Sequence, residues 1–118
     1  MILARKGDLP GAVLMMTIMI GTAQADPIEG NWRTEAGSTA AIGACGSAYC
    51  ITLKTGSHAG RRIGTFKSDG RGRYAGEITD PSNDKTYTGK ARLVGKSLEM
   101  QGCVLGGLIC RSQSWSRL

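Results

Sequence analysis

Four cysteines, one histidine and a basic run hold most of the reactive side chains of this 118-residue chain. Cys45 and Cys50 are separated by four residues, Cys103 and Cys110 by six. Paired thiols form disulfides, ligate zinc or run redox chemistry. Neither pair has the spacing of a thioredoxin-type site, and neither is a zinc knuckle. An even cysteine count in a short chain then reads as two disulfides. Gly106-Gly107 signals a hairpin turn. A two-residue turn there sets Cys103 opposite Cys110 as a hydrogen-bonded pair, and a turn centred on Ser47-Ala48 sets Cys45 opposite Cys50. Cys45–Cys50 and Cys103–Cys110 are therefore the expected bridges, each worth roughly 2–2.5 kcal/mol in the chain-entropy account. Crossed pairing between the two hairpins stays open.

His58 lies in Gly56-Ser57-His58-Ala59-Gly60. Serine–histidine catalysis needs a placed nucleophile and an orienting acid. Nothing around Ser57 supplies that context, so His58 reads as a solvated loop residue. Glu77, Asp80 and Asp84 lack the alternating acids and closing glutamate of a calcium loop. Asp80-Pro81 instead opens a turn, and Glu77 with Asp80 as a glycosidase pair rests on two acids alone. No set of nucleophile, base and orienter is legible. The expectation is a non-catalytic protein with no metal and no cofactor.

Arg61, Arg62, Lys67, Arg71 and Arg73 form the basic run, with Tyr74 following. That composition suits a nucleic-acid-binding element. In an exported chain the available anions are lipid head groups and cell-wall polymers, reached by the same long-range attraction. No nucleic-acid partner is expected. The plainer alternative is a solubilising face.

The positioning elements follow from length and punctuation. Arg5 and Lys6 precede an uncharged apolar stretch, Gly11 to Ile20, and Ala23-Gln24-Ala25 has the small residues of a cleavage site. This is the secretory leader pattern. The stretch is too short for a membrane anchor, which needs about 20 apolar residues. Cleavage between Ala25 and Asp26 is expected, leaving residues 26–118 as one domain, exported and monomeric. Fifteen basic against nine acidic residues give a formal charge of +6, and loss of the leader keeps the basic excess. A domain this short is marginal on its core alone, so staples matter.

No segment shows a helical period. Alternation broken by glycine and Asp/Asn clusters points to an all-β meander of seven or eight strands. The expected strands are Asn31–Thr34, Thr39–Ala44, Tyr49–Lys54, Arg61–Lys67, Arg73–Thr79, Lys85–Val94, one from Leu98, and one from Ile109 to Arg117. Tyr87, Gly89, Ala91 and Leu93 share one face. Ile109, Arg111, Gln113, Trp115 and Arg117 share another, with both C-terminal cysteines on the opposite, solvent-facing side. Closure into a small antiparallel barrel removes the exposed edges.

Gly30-Asn31-Trp32, the run Gly76-Glu77-Ile78-Thr79-Asp80-Pro81, Lys85-Thr86-Tyr87, and the ending Arg111-Ser112-Gln113-Ser114-Trp115-Ser116-Arg117 together resemble the small exported bacterial proteins of domain-of-unknown-function family 2147. The resemblance implies a calycin-like antiparallel barrel, an unassigned biochemical role and a periplasmic address in a Gram-negative cell. Many members have a longer middle with Asn-Pro-Asp and Arg-Pro-Leu segments, absent here between Cys50 and Gly76. A looser resemblance is to lipocalins, which have Gly-x-Trp on the first strand and a late arginine across the indole. It implies that Gly30, Trp32 and Arg111 take those parts. A guanidinium over an indole gains cation–π attraction. In the plainer reading Trp32, Arg111 and Trp115 close one barrel end and touch no ligand.

Two functional expectations follow. One is a periplasmic binding or envelope-stress barrel holding a small amphipathic ligand against Trp32, Tyr87, Met100, Arg111, Gln113 and Trp115. A barrel this small would have to be hollow to do so. The other is an envelope interaction protein using Arg61, Arg62, Lys67, Arg71 and Arg73 on anionic lipid or cell-wall polymer.

Overall fold

Buried and exposed residues alternate between glycine-rich and Asp/Asn turns, and this period-two pattern sets eight strands. The computed structural model describes residues 25–118. The expected leader, apart from Ala25, lies outside the described residues. The strands are β1 (Gly30–Arg33), β2 (Thr39–Cys45), β3 (Ala48–Leu53), β4 (Arg62–Ser68), β5 (Arg73–Asp80), β6 (Lys85–Val94), β7 (Ser97–Val104) and β8 (Ile109–Arg117). Each pairs antiparallel with the next, and β8 returns to β1 to close the barrel. The expected all-β meander is therefore the observed fold.

The interior is packed. Trp32 and Trp115 are 0% and 2% exposed, and Phe66, Ile51 and Leu98 are also fully buried. Both indole N–H groups have acceptors, as buried tryptophans require. Trp32 Nε1 donates to the Ile28 carbonyl at 2.9 Å, and Trp115 Nε1 to Gln113 Oε1 at 2.9 Å. Further along the barrel, Gly76, Gly89 and Gly102 lie side by side across β5, β6 and β7, with Phe66 of β4 next in the row. A Cβ at Gly89 would stand 2.8 Å from Phe66 Cζ, and one at Gly102 3.3 Å from Tyr87 Cβ. Glycine here makes room for two aromatic side chains.

One end is closed by the segment before β1. Ile28 is buried in the core. Asp26 Oδ1 accepts the Ile28 N–H at 2.9 Å and also the Tyr74 hydroxyl. Tyr49 meets Tyr74 edge-to-face with ring centres 6.1 Å apart. Arg117 Nη1 donates to the Glu29 carbonyl at 2.8 Å, its Nη2 donates to the Pro27 carbonyl, and its guanidinium lies over the Trp32 ring.

The closing seam is short. β1 and β8 share only the pairs Trp32↔Arg117 and Arg33↔Ser116. Beyond them Glu35 Oε2 accepts the Ser114 N–H at 2.9 Å. The far part of β8, Ile109 to Ser114, is exposed.

Both expected disulfides are present, Cys45–Cys50 and Cys103–Cys110. Two details differ from expectation. The β7–β8 connection is a four-residue turn containing a 3₁₀ segment, Leu105–Gly107, because Leu105 and Gly106 both adopt positive φ. The Cys103 and Cys110 Cα atoms are 4.1 Å apart, which is the close, non-hydrogen-bonded class of pair and removes the register difficulty. Cys110 faces solvent as expected, but Cys103 is buried.

Candidate functional site

Of the six residues expected to line a ligand site, Trp32, Met100, Gln113 and Trp115 come together as part of the packed core and its edge. Trp32, Met100 and Trp115 belong to the core, and Tyr87 is half-buried beside Gly102. Gln113 is exposed, and its amide oxygen serves the Trp115 indole. Arg111 is exposed near the open part of the seam. The expectation that Arg111 lies across Trp32 is corrected. Arg117 does so, with its guanidinium carbon 4.0 Å from the ring centre. The closing register sets Arg117 opposite Trp32. Arg111 stands six residues back along β8, about 20 Å away at strand rise.

The basic run also divides. Arg61 pairs with Asp84 at 2.8 Å and donates to the Pro81 carbonyl at 3.3 Å. Arg62 starts β4, where it lines a small outer hollow of about 310 Å³ with Lys54 and the Cys45–Cys50 bridge. Lys67 lies near the other end of the same strand. Arg71 sits in the turn after β4, where its N–H donates to Asp69 Oδ1 at 2.8 Å. That bond, helped by the Arg73 N–H and the two cationic side chains, holds the Asp69 carboxyl below its ordinary range.

Lys67 and Arg73 instead meet two cations from β6. One row across the outer wall reads Lys67, Ala75, Lys90, Gln101, Ser112. The next reads Arg73, Arg92, Glu99, Ser114. Arg73 and Arg92 are thus directly opposite on adjacent strands, an arrangement that like charges disfavour. Arg73 is 3.4 Å from Asp69. Glu99, opposite Arg92, accepts the Ser114 hydroxyl at 3.1 Å. Among the described residues, Lys67, Lys90 and Arg92 have no carboxylate within ion-pair distance. These side chains rim an open hollow of about 820 Å³, to which Ala75, Ser112 and the carboxylates of Asp69 and Glu99 also contribute. Small residues between long cations leave space for an anion at the sheet surface.

The remaining candidates have structural work. Asp80 Oδ1 accepts the Ser82 N–H at 2.9 Å and the Ser82 hydroxyl at 2.6 Å. These bonds, with His58 and Arg111 nearby, lower the Asp80 carboxyl from its ordinary value. Asp84 is taken by Arg61 and Glu77 is exposed on β5. Both disulfides form and no cysteine is free among the described residues, so a four-thiolate zinc site is ruled out. Two disulfides fit an oxidising environment outside the cytoplasm.

The signal that sequence reading missed was cross-strand. Lys90 and Arg92 alternate on β6; the β5–β6 register joins them to Arg73, and with the β4–β5 register to Lys67. No curated protein and no solved structure matches the chain. A bacterial family described as "Uncharacterized protein conserved in bacteria (DUF2147)" matches residues 30–117, the whole barrel from β1 to β8, and the chain belongs to that family.

Proposed function

We propose that the protein is an exported, periplasmic, non-catalytic barrel. It binds phosphate-bearing envelope components, lipid head groups or wall polymers, through the outer wall formed by Lys67, Arg73, Lys90 and Arg92. The observation that carries this reading is the Arg73–Arg92 pair. Two arginines opposite each other on adjacent strands repel, Asp69 offsets only the Arg73 side of the pair, and an anion between them relieves the rest. Planar guanidinium donors also match phosphate oxygens in a bidentate manner.

The packed interior moves the binding reading from the inside of the barrel to its outside. Phe66, Ile78 and Tyr87 occupy the level of the glycine row. Burial of both tryptophans with satisfied indole donors fits a structural part for them. A small amphipathic ligand inside the barrel is the less supported reading.

Titration with polyphosphate, followed by amide chemical shifts, tests the proposal. The expected shifts centre on Lys67, Arg73, Ala75, Lys90 and Arg92. Shifts centred on Tyr87, Met100 and Trp115, or none, would overturn it.

A further inference from the structure

The turn between β7 and β8 presents apolar side chains to solvent. Leu105 is 68% exposed, Leu108 85% and Ile109 55%. Single exposed leucines need no explanation, but three on one tip do. The tip is held in this shape. The Cys103–Cys110 bridge closes its base, Val104↔Ile109 is the last ladder pair, and the Leu108 N–H donates to the Leu105 carbonyl at 3.2 Å. Leu105 has φ of 54°, a conformation that bulky residues rarely adopt. Strain, a staple and exposure thus coincide at one place.

Cations flank the tip. Arg111 is exposed and shares a face of β8 with Ile109. Lys85 begins β6, three residues before Thr88, which pairs with Cys103. Asp84, at the same end of the barrel, is already paired with Arg61. A convex apolar tip offers no groove for a peptide. Two copies joined tip to tip would bring Arg111 and Lys85 against their own counterparts. Asp80, opposite Lys85 in the β5–β6 register, is hydrogen-bonded to Ser82. An apolar tip with Arg111 and Lys85 behind it fits an anionic bilayer, where hydrophobic insertion and head-group attraction add.

We infer that the Leu105–Ile109 tip inserts into the interfacial region of an anionic lipid bilayer, with Arg111 and Lys85 at head-group level. This site is separate from the Lys67–Arg92 wall and goes beyond the reading proposed for it. The stapled turn arrives already shaped, so little ordering is needed on insertion.

The test places a reporter at the tip, since Trp32 and Trp115 are buried and insensitive to lipid. Leu108→Trp is mixed with phosphatidylethanolamine/phosphatidylglycerol vesicles, with and without brominated acyl chains. Insertion predicts a blue shift of the added indole and quenching by the brominated lipid. Leu108→Asp is expected to lower vesicle binding roughly tenfold or more while leaving polyphosphate binding unchanged. Near-UV circular dichroism checks that each variant folds. Unchanged emission and no quenching would overturn the proposal. So would a blue shift that tracks protein concentration without lipid, which would mark the tip as a contact between copies. Arg73→Gln with Arg92→Gln reports on the wall separately, because the wall variant loses polyphosphate binding without abolishing quenching at the tip.

Discussion

The guanidinium of Arg117 lies over the ring of Trp32, 4.0 Å from its centre, and ties the last strand to the first. The same side chain holds the Pro27 and Glu29 carbonyls. It thus joins the closing seam, the core and the segment that covers the barrel end. Arg117→Lys keeps the charge but loses the planar fork. The expected loss is about 2–3 kcal/mol of unfolding free energy, from charge-assisted hydrogen bonds and cation–π attraction. Urea unfolding measures it. Arg111→Lys should change stability by less than about 0.5 kcal/mol, since Arg111 is exposed.

This contrast shows why the site was only partly legible in the sequence. Residues 111 and 117 share a face by alternation, and alternation cannot say which of them meets Trp32. The closing register decides it, and that register is set by the stagger of all eight strands. The strands themselves were legible. β6 and β8 begin and end where alternation and turn residues place them, and both disulfides follow from facing positions in hairpins. The β7–β8 turn is longer than Gly106-Gly107 alone implies, because Leu105 beside them adopts positive φ. The covering segment around Ile28 has no period to read. Lys90 and Arg92 lie outside the basic run in sequence and join it only through the β4–β5 and β5–β6 ladders.

The glycine row makes a second prediction. Gly89→Ala directs a methyl group at Phe66 Cζ. Overpacking of this kind costs about 1–3 kcal/mol. Combining it with Phe66→Leu should recover part of that loss, giving a non-additive cycle in urea unfolding. Gly76→Ala should be worse and have no such rescue, because its Cβ falls on the Thr65 carbonyl oxygen, which is backbone.

Each disulfide closes a short loop. Replacing Cys45 and Cys50, or Cys103 and Cys110, with serine pairs should each lower stability by about 2 kcal/mol. The two losses should add to within about 0.5 kcal/mol, because the bridges lie in separate hairpins. Unfolding under non-reducing conditions measures both.

Two kinds of titrating group give stability opposite pH limits. Asp69 and Asp80 have lowered folded values. They stabilise above the unfolded carboxylate value of about 4, and that contribution is lost as pH falls through the folded values. Tyr74 is raised, first by burial and then by its hydrogen bond to the Asp26 carboxylate. Its contribution is complete below the unfolded phenol value of about 10 and is lost as pH rises through the folded value. Tyrosinate absorbance near 295 nm should therefore show a phenol titrating above its ordinary range. Tyr74→Phe should remove the larger part of that late step, leaving the Tyr49 phenol, which burial and Asp26 also raise, and Asp26→Asn should shift it down only in part, because burial remains.

The wall of Lys67, Arg73, Lys90 and Arg92 is tested most simply by its affinity for polyphosphate. The dissociation constant should rise at least about tenfold between about 0.05 M and about 0.5 M NaCl, as phosphate contacts are screened. Arg73→Gln with Arg92→Gln should weaken binding and flatten that salt dependence. The same double variant should change unfolding stability by less than about 1 kcal/mol, because loss of the exposed Arg73–Asp69 pair offsets removal of the like-charge pair. Binding that ignores both salt and the double substitution would contradict the account.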